Sequence, residues 1–256
     1  MENADKTITL GHPSYVWRAG QERRFRLVER YVPLEAARIL DVGCGLGLYV
    51  QRFRQVTPQV HGVDVDAERV SLASETLPNI RQAPAERLPY ADSSFDVVFS
   101  HEVLEHVDDD RAAVREAYRV LVPGGWLVAF VPNRLYPFET HGAYWRGRYH
   151  FGNIPLVNYM PNALRNRLCP HVRAYTRRGI EALFVGLDGA VRVHRCIYAG
   201  YDNIVERRPA LGRLLQRLTY ALEATPLQWL GLSHVIVFQK KERGSTRIGR
   251  IDADRE

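Results

Sequence analysis

The chain has 256 residues, of which 46% are hydrophobic and 25% charged, and a net charge of +6 at neutral pH. That length can bury one large core, the composition is that of a soluble globular protein, and no apolar run approaches the roughly 18 residues of a membrane span. The basic excess is carried by arginine, since lysine occurs only at Lys6, Lys240 and Lys241; spread along the chain, it favours a solvated basic surface over a nucleic-acid groove.

The first residues, MENADKTITLGHPSYVW, lack the basic start and apolar stretch of a secretory signal, so a cytoplasmic location is expected. Cys44, Cys169 and Cys196 are widely spaced, form no C-x-x-C pair and read as free thiols of a reducing compartment. A helix is expected from about Tyr15 to Tyr31. From there strand and helix alternate in the manner of an open parallel sheet. Arg38 to Val42 reads as a buried strand, Leu48 to Arg54 as a helix and Gln59 to Val65 as a second strand. Asp66 caps a helix running to about Thr76. Asn79 to Gln82 and Phe95 to Ser100 are further strands, separated by the loop APAERLPYADSS. Arg111 to Leu121 has apolar residues at helical spacing, ended by Pro123-Gly124-Gly125, and Trp126 to Val131 is the next strand.

Asn133 to Tyr175 breaks this rhythm, with eight aromatic residues and four prolines and no sustained period. A long segment of that kind reads as an inserted lid or substrate-facing element. Helix returns at Thr176 to Phe184 and strand at Ala190 to Tyr198. A second insertion contains an amphipathic, arginine-rich helix at Pro209 to Leu222, before a last strand at His234 to Gln239. That helix could touch an anionic membrane surface, but packing of its leucines onto the domain is the favoured expectation. The organisation is one domain over 1–241, with a ligand-binding core at 33–132, insertions at 133–175 and 199–232, and a polar, disordered tail at 242–256.

The strongest signal is RILDVGCGLGLYVQRF, in which a strand runs through Asp41 into Gly43, Cys44, Gly45, Leu46 and Gly47 and a helix follows at once. Glycines here let a backbone approach a ligand, and the helix start behind them suits a carboxylate. The spacing is G-x-G-x-G, whereas a dinucleotide fingerprint is G-x-G-x-x-G. The acid before the first glycine would repel a pyrophosphate but can pair with an ammonium group. Asp64, about twenty residues on at the end of the second strand, is placed to hold ribose hydroxyls. Together these features describe a site for a nucleoside joined to an amino acid, which is the chemistry of S-adenosylmethionine.

LDVGCGLG, GVDVD, AERLPYADSSFDVVFSHEVLEHV and REAYRVLVPGGWLVAFVPN occur in that order, and with them the segment Arg38 to Val131 resembles the class I S-adenosylmethionine-dependent methyltransferases, in the group that includes quinone-biosynthesis and small-molecule enzymes. The resemblance implies a Rossmann-like α/β fold, a mainly parallel seven-stranded sheet flanked by helices with the inserted lid after the fifth strand. It implies S-adenosylmethionine as methyl donor, with Gly43, Cys44, Gly45 and Gly47 as the methionine-side cradle and Asp41 near the amino group. Asp64 would hold the ribose with Val65 beside it, Ala85 and Glu86 would flank adenine, and Ser100 and His101 would line the floor under the sulfonium. The N-terminal helix would cover the cofactor. Pro84 stands where many relatives place an adenine-binding aspartate, which shifts that contact to Ala85 backbone or Glu86.

SHEVLEHVDDD, residues 100 to 110, nearly spells a zinc-protease H-E-x-x-H motif. On a helix, however, His101 and His106, five residues apart, would point about 140° away from each other, so no metal is expected. In the resemblance this segment follows the fourth strand and brings His101 to the methyl-donor site; Glu105 and His106 are either catalytic or a structural helix start. The base candidates for a hydroxyl acceptor are His106, His141 and His150, with Glu139 paired to His141 and the aromatics Tyr136, Phe138, Tyr144 and Trp145 as a pocket. The motifs of DNA methyltransferases are absent, and the expected partner is a small-molecule acceptor, with DNA excluded and RNA disfavoured. Competing readings are a tRNA or protein methyltransferase, supported only by charge, and a non-catalytic S-adenosylmethionine-binding module; oligomeric state has no signature in the sequence.

Overall fold

The computed structural model describes residues 15–242 and 244. The expected polar tail lies, apart from Glu242 and Gly244, outside the described residues. Helix α1 spans Ala19–Tyr31, then come β1 at Ile39–Val42, α2 at Leu48–Phe53, β2 at Val60–Asp64, α3 at Ala67–Ser74, β3 at Ile80–Gln82 and β4 at Phe95–His101. Helix α4 follows at Asp110–Val120, running directly into β5 at Leu121–Pro132. The first insertion contains β6 at Phe138–Glu139, β7 at Ala143–Trp145, β8 at Arg148–His150, β9 at Ile154–Pro155 and α5 at Asn162–Leu168. The chain closes through α6 at Arg177–Glu181, β10 at Gly189–Ile197, α7 at Asp202–Arg207, α8 at Pro209–Leu222 and β11 at Ser233–Lys240.

Seven strands form one sheet in the order β3-β2-β1-β4-β5-β11-β10. The pairs from β3 to β5 are parallel, while β11 runs antiparallel to both of its neighbours. Every residue of β1 is buried, as a central parallel strand covered on both faces requires. Neighbouring residues alternate between two cores because strand side chains point to opposite faces. Leu40, Val98 and Leu127 pack with Val114, Ala117 and Phe184 on one face. Ile39, Val97 and Val128 pack with Phe25, Val28 and Phe53 on the other. Helix α1 therefore belongs to the core through Phe25 and Val28, and Gln21 on the same helix reaches the cavity described below.

Pro123-Gly124-Gly125, expected to end a helix, instead lie inside β5. The β4–β5 register slips between Phe95 opposite Leu121 and Val97 opposite Trp126, so the residues between Leu121 and Trp126 bulge from the ladder, with Gly124 at φ +84°. The insertion after β5 has strands of only two or three residues, consistent with its lack of period, and a small core of its own made by Ala143, Val157, Cys169 and Val172. Helix α8 has the expected bounds but not the expected packing. Its tight contact is Gly212, where a Cβ would fall 2.6 Å from Val205 of α7, and Leu211, Leu214 and Leu218 are exposed. Among the described residues no helix is long and apolar enough to cross a membrane.

The parallel strands β1, β2 and β4 end at Val42, Asp64 and His101 on one edge of the sheet, and the chain turns from each of these ends into the cavity wall. Ligands of open α/β sheets bind at this carboxyl edge.

Candidate functional site

One cavity of about 590 Å³ opens at this edge. Its floor is the loop after β1. Gly43 N and Cys44 N both donate to Val63 O, at 2.8 and 2.9 Å, which ties the loop to β2. Gly43 and Gly47 adopt φ +75° and +81°, and a Cβ on either would meet a neighbouring side-chain carbon at 2.2 Å, Val103 in one case and Leu77 in the other. Only glycine fits there. At Gly45, φ is +54° and a Cβ would have no protein atom within 4 Å, so this residue leaves room for a ligand.

Asp64 holds the loop and the next turn together. Its carboxylate accepts from Gly45 N at 2.8 Å and from Asp66 N at 2.9 Å, and its side chain still borders the cavity. Asp66 caps α3 as expected, accepting from Glu68 N and Arg69 N. Val65, Pro84, Ala85 and Glu86 form the far wall. Glu86 Oε1 accepts from Asp108 N at 2.9 Å, so that oxygen fixes one wall to another and is not reserved for a ligand.

Beneath the loop, Asp41 is 2% exposed, and its Oδ2 has no hydrogen-bond partner. Burial, helped by the charge of Asp64, pushes its carboxyl well above the usual range. Ser100 Oγ and His101 Nε2 are likewise buried without partners. Burial and the nearby Arg24 charge pull the His101 imidazole down to about 3, which leaves it neutral. Its ring sits 5.1 Å from Tyr49 and 5.6 Å from Phe130. Of the residues expected at the cofactor, Gly43, Cys44, Gly45, Asp64, Val65, Ala85, Glu86 and His101 line the cavity, whereas Asp41, Gly47 and Ser100 stand behind its wall.

The opposite end is polar. After β4, Glu102 takes φ +57°, an uncommon value for a non-glycine residue, and the chain turns so that Glu102, Glu105 and His106 face the insertion. His141 meets them: its Nε2 lies 3.5 Å from Glu102 Oε2 and 4.0 Å from Glu105 Oε1, and its ring centroid is 5.3 Å from that of His106. Its Nδ1 donates to Glu139 Oε1 at 3.1 Å. Glu139 does not line the cavity; its other oxygen takes a 2.6 Å bond from Arg165, and both side chains of that ion pair are at most 3% exposed.

Burial opposes a charged His141, yet the carboxylates of Glu102 and Glu139 bonded to its ring hold it up at about 10. Glu102 is held well below the carboxylate range by its bond from His141, against the pull of burial. Glu139 is held down to about 2 in the same way, with Arg165 contributing. Glu105, by contrast, is pushed well up by burial and by the Glu102 charge. Burial and the cationic His141 bring His106 down to about 4, and its Nδ1 donates to His171 O at 3.3 Å. Among the described residues, Glu105, His106 and His141 form a cluster whose ligand atoms lie within 4.8 Å of one another, a spacing able to take a metal ion.

The aromatic pocket differs from the expected one. Tyr49, Tyr149 and Phe151 border the cavity, while Tyr136, Phe138, Tyr144 and Trp145 do not, and His150 is exposed on β8. The hairpin turns at Arg146-Gly147, both at positive φ, and alternation along β8 brings Tyr149 inward. Tyr149 donates to His141 O at 2.5 Å. Gln21, Thr140, Tyr149 and Phe151 are wall residues that the sequence reading did not single out, and Glu102 is one that it considered only as part of the near H-E-x-x-H run.

Residues 40–129 match the family described as "Methyltransferase domain". A probable S-adenosylmethionine-dependent methyltransferase of Mycobacterium tuberculosis is 38% identical over 117 residues, 44% of this chain and 43% of that protein. Over this segment the chain is similar to S-adenosylmethionine-dependent methyltransferases. A ubiquinone biosynthesis O-methyltransferase of Paraburkholderia phymatum is 32% identical over 130 residues, covering 47% of this chain and 56% of that one. The chain spans about half the length of the curated relatives it matches. Its fold is shared with an S-adenosylmethionine-dependent methyltransferase from Mesorhizobium loti, at TM-score 0.60 and 19% identity over 85% of this chain and 97% of that one.

The cradle fits the methyl donor named for those relatives. An unpartnered buried carboxyl at Asp41, open space over Gly45 and a ribose-competent carboxylate at Asp64 suit an amino acid joined to a nucleoside. Asp41 also carries a cost. With its folded-state pKa raised, the native protein binds more protons than the unfolded chain, so stability falls as pH rises above the unfolded value of about 3.9. Asp41→Asn removes that decline: without ligand, its unfolding temperature should exceed that of the parent at pH 7.5, with the gap shrinking toward pH 4. A gap that is constant with pH would contradict the assignment. Arg165→Met leaves Glu139 without its buried cation and should lower the unfolding free energy by about 3–5 kcal/mol in chemical denaturation, with part of the loss recovered by adding Glu139→Gln. A loss under about 1 kcal/mol would mean that the ion pair is not structural.

Proposed function

We propose that this chain transfers the methyl group of S-adenosylmethionine to a hydroxyl oxygen of a small-molecule acceptor. The observation that carries the reading is a single cavity with the glycine cradle and Asp64 at one end and Glu102, His106 and His141 at the other. Its volume, about 590 Å³, falls in the range of small-molecule sites. The ubiquinone O-methyltransferase relative supports oxygen as the acceptor atom. Three buried free thiols support a reducing compartment such as the cytoplasm.

S-adenosylmethionine, when bound, supplies a methyl group made electrophilic by its sulfonium. Gly43 and Gly45 would give it a backbone surface, Asp41, just behind the wall, would stand nearest its amino group, and Asp64 keeps acceptor capacity for ribose hydroxyls. Ala85, on the far wall, would flank the adenine. His101, being neutral, would put no positive charge beside the sulfonium. Holding donor and acceptor in line contributes on the order of 7–11 kcal/mol to such a reaction. As oxygen gains the methyl group it loses its proton, which needs a base. His106 Nε2 and the Glu102 carboxylate are the basic atoms on the wall at neutral pH. His141 is held cationic, so it positions Glu102 and does not itself receive that proton. Glu139 acts through His141 by fixing its ring.

Gly45→Ala tests the cradle with little disturbance to the protein, since the added methyl meets no protein atom within 4 Å and its left-handed backbone costs only about 1–2 kcal/mol. By calorimetry the parent should bind S-adenosylmethionine at micromolar concentration and Gly45→Ala at least about 30-fold more weakly, with no binding of NAD to either. Equal affinities in a folded Gly45→Ala would remove the ligand from this loop.

A further inference from the structure

Buried carboxyl groups in folded proteins almost always have a hydrogen-bond partner, and one that has none calls for an explanation. Glu105 is 1% exposed and neither of its oxygens has a partner. Its Oε1 lies 4.0 Å from His141 Nε2, so the group is aimed into the cluster at the acceptor end of the cavity.

The two imidazoles of that cluster are oriented in the same manner. His141 Nδ1 donates to Glu139, itself braced by Arg165, and His106 Nδ1 donates to a carbonyl that can only accept, His171 O. Each ring in its neutral form therefore has its lone pair on Nε2. This carboxylate-or-carbonyl support on the far nitrogen is the arrangement that prepares histidines for metal binding. The ligand atoms of Glu105, His106 and His141 lie within 4.8 Å of one another, and donors on one ion with bonds of about 2.0–2.2 Å stand up to about 4.4 Å apart, so a few tenths of an ångström of closure suffices. Glu102 Oε2, 3.5 Å from His141 Nε2, adds a second carboxylate.

We propose that Glu105, His106 and His141, with Glu102 as a fourth donor, form a binding site for one divalent first-row transition metal ion at the acceptor end of the cavity. Two imidazoles and two carboxylates suit Mn²⁺, Fe²⁺ or Zn²⁺ better than Mg²⁺ or Ca²⁺, which favour all-oxygen sets. Glu102, His106 and His141 line the cavity and Glu105 stands just behind its wall, so an ion held there would be within reach of an acceptor oxygen in the cavity, whose proton affinity such an ion lowers. With an ion bound, Glu102 and His106 would be ligands in place of bases, His141 would give up its Nε2 proton on binding, and the acidified acceptor would release its proton to water; this role of the ion rests on the proposed methyl transfer, whereas its binding does not. The sequence expectation of no metal considered His101 with His106. The structure sends His101 toward Tyr49 and Phe130 and brings in His141 from the insertion.

The test uses tag-free full-length protein stripped with a chelator. It is titrated with Mn²⁺, the free ion being followed by electron paramagnetic resonance, and with Zn²⁺ in competition with a chromophoric chelator. The expected result is one ion per chain at micromolar affinity or tighter, weakened more than about 100-fold in Glu105→Gln and about 10–100-fold in Glu139→Gln, which removes no ligand but weakens the support of His141 and neutralises the partner of Arg165, so its affinity is compared at a temperature where the variant is shown to be folded. Metal-free Glu105→Gln should unfold at a temperature no lower than the metal-free parent, and Mn²⁺ should raise that temperature in the parent alone. Absence of saturable binding, or an affinity unchanged in Glu105→Gln, overturns the proposal. S-adenosylmethionine calorimetry on the stripped protein separates the two readings: donor binding without any metal binding sinks this inference alone, and metal binding without donor binding supports it while sinking the methyl-donor reading.

Discussion

The Arg165–Glu139 ion pair, 2.6 Å long and almost sealed from water, is the contact on which the acceptor end of the cavity depends. Charges buried this deeply are tolerated only when each finds partners, and here the partners form a chain. Arg165 also donates to Val172 O, Glu139 takes the Nδ1 proton of His141, and His141 reaches Glu102 at the end of β4. A segment with only two- and three-residue strands, and a core of four buried residues, is thereby fixed against the sheet at the polar end of the cavity. Arg173 N donating to Glu105 O and Tyr175 Oη donating to Leu104 O fasten the far end of the insertion to the same turn.

The two ends of the cavity are built on different physical terms. The donor end is backbone: glycines at positive φ, tied to β2 and to Asp64, with a rigid parallel sheet behind them. The acceptor end is side-chain charge held by tertiary contacts. Both contain one buried carboxyl without a partner, Asp41 below the cradle and Glu105 within the polar wall. Groups of that kind cost stability in the ligand-free protein, and their placement at opposite ends of one cavity fits two ligands, each bringing positive charge or a proton to its carboxyl.

What could be read from the sequence follows the same division. Strands β1, β2, β4 and β5, the Asp66 cap and the glycine loop are local patterns, fixed by residues within a few positions of one another, and the sheet order follows from the family resemblance they carry. The bounds of α8 were also legible from its period, but its exposed leucines were not, because whether an apolar stripe meets a partner is a tertiary fact. The acceptor wall depends on residues far apart in the chain. The sequence drew attention to the five-residue gap between His101 and His106, while the informative spacing in the same segment was Glu102, Glu105 and His106, at i, i+3 and i+4. Neither that spacing nor the aromatic-rich insertion discloses that His141 completes the cluster, or that Tyr149 and Phe151 take the place expected of Tyr144 and Trp145.

The central claim is that one cavity holds an adenosyl methyl donor with its reactive end toward the polar wall. Its most direct test is a crystal structure grown with S-adenosylhomocysteine. The account predicts density running from Ala85 past Asp64, with both ribose hydroxyls within hydrogen-bond distance of the Asp64 carboxylate, the amino group near Asp41 and the sulfur facing Glu102 and His141. Density in the reverse orientation, at another surface, or absent from crystals of a folded protein would contradict it.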